Sequence, residues 1–197
     1  MRRVNKKKCL MRSGFTLLEI VLTMAILLVF ISVIYSTFYI VNASHANIAV
    51  INDAKDFAAI NMQAIENLTA NASSVKISSD KFLLSDDKGY TALYYENVSS
   101  PKGSVLTYHK DGYAATAAFS LSQYKIDSNT MKWSVKATFT NPSKNGIVNV
   151  KLEIVDNSTG DVYYTLQKDI YFLNINSSAG ISGDASGWVL KFKSYTP

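Results

Sequence analysis

The sequence has 197 residues, with 20 Lys and Arg against 15 Asp and Glu, so its formal net charge is +5. Such a balance is typical of chains that bind nucleic acid or anionic lipid, but six of the basic residues lie in the first 14 residues, which contain no acid. The rest of the chain has 14 basic and 15 acidic residues, a net charge of −1, so no nucleic acid partner is expected. The single cysteine, Cys9, excludes an internal disulfide.

The first predicted element is a membrane-spanning helix. From Ile20 to Val41 the chain has 22 residues without a formal charge, Gly or Pro. About 20 apolar residues in a helix cross the hydrocarbon core of a bilayer. Basic residues precede this run, and none follows it until Lys55. The positive-inside rule therefore places the N-terminus in the cytoplasm and the bulk of the chain outside.

Two other interpretations of the apolar run remain open. A secretory signal peptide would end at the small-residue site Val41-Asn42-Ala43, although its apolar stretch has only about 7–15 residues. A plain signal anchor has the right length but leaves Glu19 unexplained. An acid at the centre of a membrane helix costs about 2.5–3.5 kcal/mol. Glu19 lies nearer the cytoplasmic end, where the cost is lower, but its carboxylate still requires a partner.

Residues 13–19, S-G-F-T-L-L-E, resemble the cleavage and methylation motif of type IV pilins and pseudopilins. The shared features are a short basic leader, Gly14, the aromatic Phe15, Glu19 five residues after the cut, and a long apolar helix. The resemblance implies that a prepilin peptidase cuts between Gly14 and Phe15 and that the new amine of Phe15 is methylated. The cut would remove all six basic residues of the leader.

The same resemblance implies a role for Glu19 and a set of partners. In a growing filament the carboxylate would pair with the N-terminal amine of a neighbouring subunit. Because a buried charge without its partner is strongly unfavourable, such a pair disfavours wrong registers. The implied partners are the prepilin peptidase, other pilin subunits, the pilus assembly platform and its ATPase, and the cytoplasmic membrane. Many family members have a proline in the apolar half of the helix, which this sequence lacks.

An amphipathic half is predicted to continue the helix beyond the membrane to about residue 70. The segment contains no Gly or Pro, and its apolar residues recur on one face. Asn61 is the one polar residue on that face. The apolar residues of the face are Val50, Ala54, Phe57, Ala58, Ala64, Ile65 and Leu68. A helix of roughly 54 residues is about 80 Å long, so its outer half needs a docking surface.

From about Val75 the period of the pattern changes to 2, which predicts β-strands. Strands at residues 131–140, 148–154 and 162–172, joined by turn sequences at 141–146 and 156–161, predict an antiparallel meander. Weaker strands are predicted at residues 81–84, 91–95, 105–109, 117–126 and 188–195, with Trp188, Leu190 and Phe192 on one side of the last. The Ser- and Gly-rich composition of residues 176–187 predicts a loop.

The predicted fold class is therefore α+β, with a long N-terminal α-helix packed on an antiparallel β-sheet domain, as in the pilins. Residues 1–14 form the leader, and residues 15–41 form the transmembrane or filament-core half of the helix. Residues 42–70 form its amphipathic half, and residues 71–197 form the extracytoplasmic domain.

No catalytic or metal-binding constellation is evident in the sequence. No metal-ligand spacing surrounds His45 or His109, and neither a metal nor a cofactor is predicted. The carboxylates at Asp86-Asp87, and those of Asp156 and Asp161, lack the spaced oxygen ligands of a calcium loop and are interpreted as solvated turns. The 12 tyrosines are compatible with an exposed binding face or with ordinary strand positions.

The leading functional hypothesis is a prepilin-like subunit anchored in the cytoplasmic membrane. After processing it would be assembled into a pilus or pseudopilus at the cell surface, and the length of the chain favours a minor subunit. The alternative is a membrane-anchored surface binding module, which shares this topology but keeps its leader and never polymerises. An exported enzyme is not predicted, because the sequence offers no nucleophile with a base and no metal site.

Overall fold

The computed structural model describes residues 16–81, 87–99, 102–118, 125–127, 130–142, 146–175 and 180–194. The chain divides into two compact units, Met1–Ile48 and Ala49–Pro197. One long helix, α1 (Leu17–Thr69), contributes its N-terminal part to the first unit and its C-terminal part to the second. The predicted leader lies outside the described residues.

In the first unit, the surface of α1 is apolar, and no described part of the chain covers it. Every residue from 16 to 48 is exposed. Four Ser and Thr hydroxyls in this run donate to carbonyl oxygens of their own helix at 2.7 to 2.9 Å; they belong to Thr23, Ser32, Ser36 and Thr37. This arrangement suits lipid, because polar groups in an apolar medium must be satisfied within the segment. Among the described helices, α1 alone is long and apolar enough to cross a membrane.

In the second unit, the C-terminal part of α1 buries the face that the amphipathic pattern predicts. Four of the predicted residues are buried and three are partly buried against the same core; they are Ala54, Phe57, Ala58 and Ile65, and Val50, Ala64 and Leu68. Asn61 and Met62 are buried on this face as well. The helix ends at Thr69, whose hydroxyl donates to the Ile65 carbonyl oxygen at 2.8 Å.

Twelve strands in the described part of the second unit form two sheets. They are β1 (Ala72–Ser78), β2 (Thr91–Ser99), β3 (Lys102–Lys110), β4 (Thr116–Ala117), β5 (Lys125–Asp127), β6 (Thr130–Met131), β7 (Trp133–Thr140), β8 (Ile147–Asp156), β9 (Val162–Tyr171), β10 (Ile181–Gly183), β11 (Ser186–Gly187) and β12 (Val189–Ser194). The eight-stranded sheet has the order β10-β1-β12-β2-β3-β6-β5, with β4 paired to β3. The four-stranded sheet has the order β11-β7-β8-β9.

The α+β class and the meander are confirmed. Strands β7, β8 and β9 pair antiparallel in sequence order, and β7 alternates buried residues with partly buried or exposed ones, as its period-2 pattern predicts. The predicted strands at residues 91–95 and 105–109 are the inner parts of β2 and β3. The pairing differs from the antiparallel prediction at two places, because β1 with β10 and β3 with β6 run parallel.

The prediction of a loop at residues 176–187 is wrong for its second half. There β10 extends the large sheet beside β1, and β11 extends the small sheet beside β7. Both strands depend on glycine, because a Cβ at Gly183 would lie 2.1 Å from the Ile77 carbonyl oxygen and one at Gly187 would lie 2.4 Å from that of Ser78. Composition alone cannot separate a glycine that loosens a loop from a glycine that permits close packing.

Three weaker strand predictions also need correction. Lys81 lies in no strand, and residues 82–84 are outside the described residues; the strand of this region is β1, which begins at Ala72. The predicted strand at 117–126 is represented by the short β4 and β5 at its two ends, since Ala118 lies in a bend and residues 119–124 are not described. Trp188 lies just outside β12 and is exposed, whereas Leu190 and Phe192 join the main core.

The main core fills the space between the C-terminal part of α1 and the two sheets. Its largest fully buried side chains include Trp133, Phe57, Phe139 and Ile65. Burying one large apolar side chain stabilises a fold by about 1.5–3 kcal/mol relative to leaving it exposed. Within the second unit, this core therefore holds the C-terminal part of α1 and both sheets together.

Candidate functional site

The first candidate site is the start of α1, which Thr16 caps. The Thr16 hydroxyl accepts a hydrogen bond from the Glu19 backbone N–H at 3.3 Å. The Thr16 carbonyl oxygen accepts from the N–H groups of Glu19 and Ile20 at 3.0 and 3.2 Å. Thr16 with Glu19 has the T-x-x-E spacing of a capping box, in which a Glu three residues after the cap closes the helix start.

Glu19 is exposed in the first turn of the helix. An acid at this position is favoured by the positive end of the helix dipole, by about 0.3–1 kcal/mol. That interaction is too small to offset burial of a carboxylate in an apolar surrounding. No ion pair of Glu19 occurs within the described part of the chain. Gly14 and Phe15, the predicted cleavage and methylation positions, lie outside the described residues.

Asn61, the polar residue on the apolar face of α1, has hydrogen-bond partners inside the fold. The Asn61 side-chain amide donates to the Phe57 carbonyl oxygen at 2.8 Å, and its side-chain oxygen accepts from the Tyr95 hydroxyl at 3.0 Å. Burial raises the pKa of Tyr95, so this phenol stays protonated and acts as the donor. Asn61 is therefore a satisfied contact between α1 and β2, and no ligand is needed to explain it.

The second candidate site is the outer face of the eight-stranded sheet, opposite the main core. Asp87 lies near the end of the β1–β2 connection and is 0% exposed. Its two carboxylate oxygens accept from Lys76 Nζ in β1 and Lys191 Nζ in β12, each at 2.8 Å. Lys191 is itself only 1% exposed. The interpretation of Asp87 as part of a solvated turn is therefore wrong; Asp86 lies outside the described residues.

The charge cluster holds the β1–β2 connection against the sheet. Beside it, Tyr90 and Ser74 share a hydrogen bond of 2.7 Å between their hydroxyl oxygens. A small second cluster of buried apolar residues, Ala92, Tyr94 and Val189, lies on this same outer face. The alternation of side chains in β2 and β12 explains it, because Leu93 and Leu190 point to the main core.

A groove of about 360 Å³ borders this second cluster, and we call it the Trp188 groove; it is lined by Lys81, Tyr94, Tyr95, Glu96 and Trp188. Lys81 Nζ lies 3.0 Å from Glu96 Oε1 and 5.7 Å from the centre of the Tyr94 ring. Trp188 packs edge-on against Tyr94, with ring centres 6.3 Å apart.

Two titratable groups in the Trp188 groove have shifted pKa values. The hydrogen bond to Glu96, reinforced by its negative charge, raises the pKa of the Lys81 ammonium. Burial, followed by the charge of Glu96, raises the pKa of the Tyr94 hydroxyl. At neutral pH the groove therefore presents a cation, an anion and a protonated phenol beside an indole.

The predicted turn at Asp156 is present on the surface of the second unit. The Asp156 carboxylate accepts from the backbone N–H groups of Ser158 and Thr159 at 2.6 and 3.2 Å, which confirms the predicted turn between β8 and β9. Within the described ranges, no group of three or more His, Cys, Asp and Glu side chains is placed to hold a metal ion. The tyrosines do not share one role, since Tyr94 is buried while Tyr113 and Tyr171 are exposed.

The fold is similar to that of the PilB minor pilin from Streptococcus sanguinis. A point mutant of that protein matches with a TM-score of 0.52 and 13% sequence identity, covering 74% of this chain and 35% of that one. A second structure of PilB matches with a TM-score of 0.44 and 12% identity, covering 69% of this chain and 33% of that one. The chain thus spans about a third of the length of the PilB chains it matches.

No protein-family model matches the sequence, and no curated protein matches it. At this level of identity the structural similarity concerns the fold alone. The chain has a pilin-like fold, a long N-terminal helix packed on β-sheets. The resemblance to type IV pilins that residues 13–19 indicate is thereby confirmed at the level of the fold.

Proposed function

We propose that this chain, which has a pilin-like fold, is a prepilin-like subunit that is assembled into a type IV pilus or pseudopilus as a minor subunit. Before assembly, the first part of α1 holds it in the cytoplasmic membrane with the N-terminus in the cytoplasm and the β-rich domain outside. Prepilin peptidase removes residues 1–14, and the amine of Phe15 is methylated. An assembly platform with its ATPase then inserts the subunit among other pilin subunits at the cell surface.

The observation that carries the proposal is the exposed apolar surface of α1 on a chain with a pilin-like fold. Residues 16–48 are exposed throughout and include only one formal charge, Glu19. Such a surface cannot remain in water, because a contiguous apolar patch of this extent drives association. Lipid covers this surface in the membrane, and neighbouring helices cover it in a filament. A pilin subunit passes from the first environment to the second.

Removal of the leader is required by electrostatics in this scheme. The leader carries six basic residues and no acid, and such a cluster holds the N-terminus at the cytoplasmic face. A cut after Gly14 replaces those charges with one amine at Phe15. Gly14 suits a protease site, because the absence of a side chain leaves its backbone free to adopt extended or unusual angles.

The carboxylate of Glu19 then has a partner of the right sign on the next subunit. A charge that is buried without its partner destabilises an assembly by about 3–5 kcal/mol. A subunit inserted out of register would bury the amine and the carboxylate apart. The pair therefore selects the register of assembly more than it adds to the strength of the filament.

Intact-mass analysis and N-terminal sequencing of the protein extracted from its native membrane test the processing step. We expect a chain that begins at Phe15 and carries one added methyl group. A bulky substitution, Gly14→Ile, should leave the leader attached, whereas the neighbouring Ser13→Ala should be cut normally. A wild-type chain that begins at Met1 in cells with an active peptidase would contradict the proposal and favour the membrane-anchored binding module.

A further inference from the structure

The Trp188 groove has features that assembly through α1 does not use. It borders the second cluster of buried residues on the outer face of the eight-stranded sheet through Tyr94, which belongs to that cluster and lines the groove. Its volume of about 360 Å³ lies at the lower end of the range of small-ligand pockets, about 300–1,000 Å³. It therefore has room for a small ligand.

The indole of Trp188 stands on a backbone that is fixed on both sides. Gly187 before it pairs with Phe139 in β7, and the buried Val189 after it pairs with Ser78 in β1. Trp188 is nevertheless 42% exposed. An aromatic side chain held in this way offers contact area with little loss of conformational entropy on binding.

The polar groups of the groove set the chemistry of a ligand. The opposite charges of Lys81 and Glu96 cancel, so the pair attracts neither anions nor cations strongly. The Glu96 carboxylate accepts hydrogen bonds and the protonated Tyr94 hydroxyl donates them, beside the indole. A ligand that combines hydroxyl groups with an apolar C–H face satisfies all three at once.

We propose that the Trp188 groove binds a neutral saccharide unit, with one face of the sugar against Trp188 and its hydroxyl groups bonded to Glu96 and Tyr94. This inference goes beyond the proposed function and does not depend on it, because the groove lies in the second unit and uses no residue of α1. A subunit at the cell surface with this groove would contact glycans directly.

Binding can be measured on the purified full chain in a detergent without a sugar headgroup. Glucose, galactose, mannose, N-acetylglucosamine and N-acetyllactosamine are titrated and followed by ligand-detected NMR and tryptophan fluorescence. Concentrations up to about 50 mM cover a dissociation constant of about 1 mM, the weak end of specific binding. The charged sugar N-acetylneuraminic acid serves as the test of the neutral class.

Three variants test whether a sugar-binding signal comes from the Trp188 groove. Trp188→Ala should weaken binding by about tenfold or more, as expected for the loss of a central aromatic anchor. Glu96→Gln should weaken it by about threefold to tenfold, because a neutral amide replaces a charged acceptor. Tyr113→Ala removes an exposed aromatic residue that does not line the groove, and it should leave binding unchanged. Circular dichroism and thermal melts establish that each variant is folded.

Binding of at least one neutral sugar with this pattern of variants supports the proposal. The absence of binding by the folded wild-type chain to any of the five sugars would overturn it. Binding that Trp188→Ala leaves intact would overturn it as well, and so would binding confined to N-acetylneuraminic acid, which would assign the groove to a charged ligand.

Discussion

The start of α1 and the outer face of the eight-stranded sheet each hold a carboxylate, and they accommodate it differently. Asp87 is fully buried between two lysines of its own chain, at 2.8 Å from each. Glu19 lies on an exposed apolar helix, where its own chain supplies a cap at Thr16 but no ion pair within the described residues.

The difference separates a charge whose ion-pair partners lie in its own chain from a charge whose proposed partner lies on another subunit. For Asp87 the desolvation cost is offset inside the subunit, so its removal should damage the folded domain. For Glu19 we propose that the cost is offset by a neighbouring subunit after assembly, so its removal should spare the domain and damage the filament.

The largest effect is expected for Asp87→Ala. Removing one partner of a buried ion pair costs about 3–5 kcal/mol, and this variant removes the carboxylate that Lys76 and Lys191 both bind. Urea unfolding of the full chain in detergent, followed by tryptophan fluorescence, measures this loss in the free energy of unfolding. A loss below about 1 kcal/mol, typical of a surface charge, would contradict the structural role of the cluster.

A smaller effect is expected at a neutral pair, the buried Asn61 with the partly buried Tyr95. Asn61→Ala leaves the Tyr95 hydroxyl without its acceptor and should cost about 1–3 kcal/mol. The double variant Asn61→Leu with Tyr95→Phe removes both polar groups and should recover most of that loss. Thermal and urea unfolding measure both. If the double variant is as unstable as Asn61→Ala, the polar contact is not the cause of the loss.

The exposed pair Lys81–Glu96 should contribute little to stability. Both side chains are 37% exposed, and pairs of this kind contribute about 0–1 kcal/mol. A double-mutant cycle with Lys81→Ala and Glu96→Ala measures the coupling free energy, which should also fall as salt is added. A coupling free energy as large as the loss expected for Asp87→Ala would contradict the distinction between the exposed Glu96 pair and the buried Asp87 cluster.

The smallest effect is a pH dependence from the surface turn at Asp156. The hydrogen bond from Ser158 is the main cause that lowers the pKa of Asp156 below its ordinary value of 3.8. A carboxyl with a lowered folded pKa stabilises the fold above its unfolded value and loses that contribution as the pH falls through the folded value. Solvent screening keeps the effect below about 0.5 kcal/mol.

The free energy of unfolding is measured between pH 5 and pH 2 for the wild type and for Asp156→Asn. The wild type should be slightly more stable at pH 5, and this difference should disappear at the acid end. The difference should be largest above the ordinary pKa of the carboxyl, where the wild-type side chain is charged. A difference that grows toward low pH would have the opposite sign and would contradict this assignment.

The parts of the fold that sequence predicts are those with local causes. The extent of α1 follows from the absence of Gly and Pro and from its two successive patterns, apolar and then amphipathic. The β7–β8–β9 meander follows from alternation with short turns between the strands. At the helix start, the spacing of Gly14, Phe15 and Glu19 identifies the candidate processing and assembly residues, whereas their roles remain predictions.

The parts that sequence does not predict depend on contacts between distant segments. Asp87 meets Lys191, 104 residues away, and no local pattern distinguishes it from an acid in a solvated turn. The Trp188 groove assembles residues from three separate segments in the same way. Lys191 alternates with the buried Leu190 and Phe192, a pattern that predicts a solvated lysine, yet Lys191 is only 1% exposed.

The most direct test of the Glu19 assignment compares Glu19→Gln with Glu19→Ala during filament assembly. Gln keeps the T-x-x-E/Q capping box and removes the charge, whereas Ala removes both; Thr16→Ala removes the cap and keeps the charge. If Glu19 pairs with the amine of a neighbouring subunit, both Glu19 variants should be cut normally after Gly14. Their incorporation into sheared filaments, measured by immunoblot, should fall by about tenfold or more. Incorporation of Glu19→Gln at the wild-type level would contradict the account and reduce Glu19 to a helix cap.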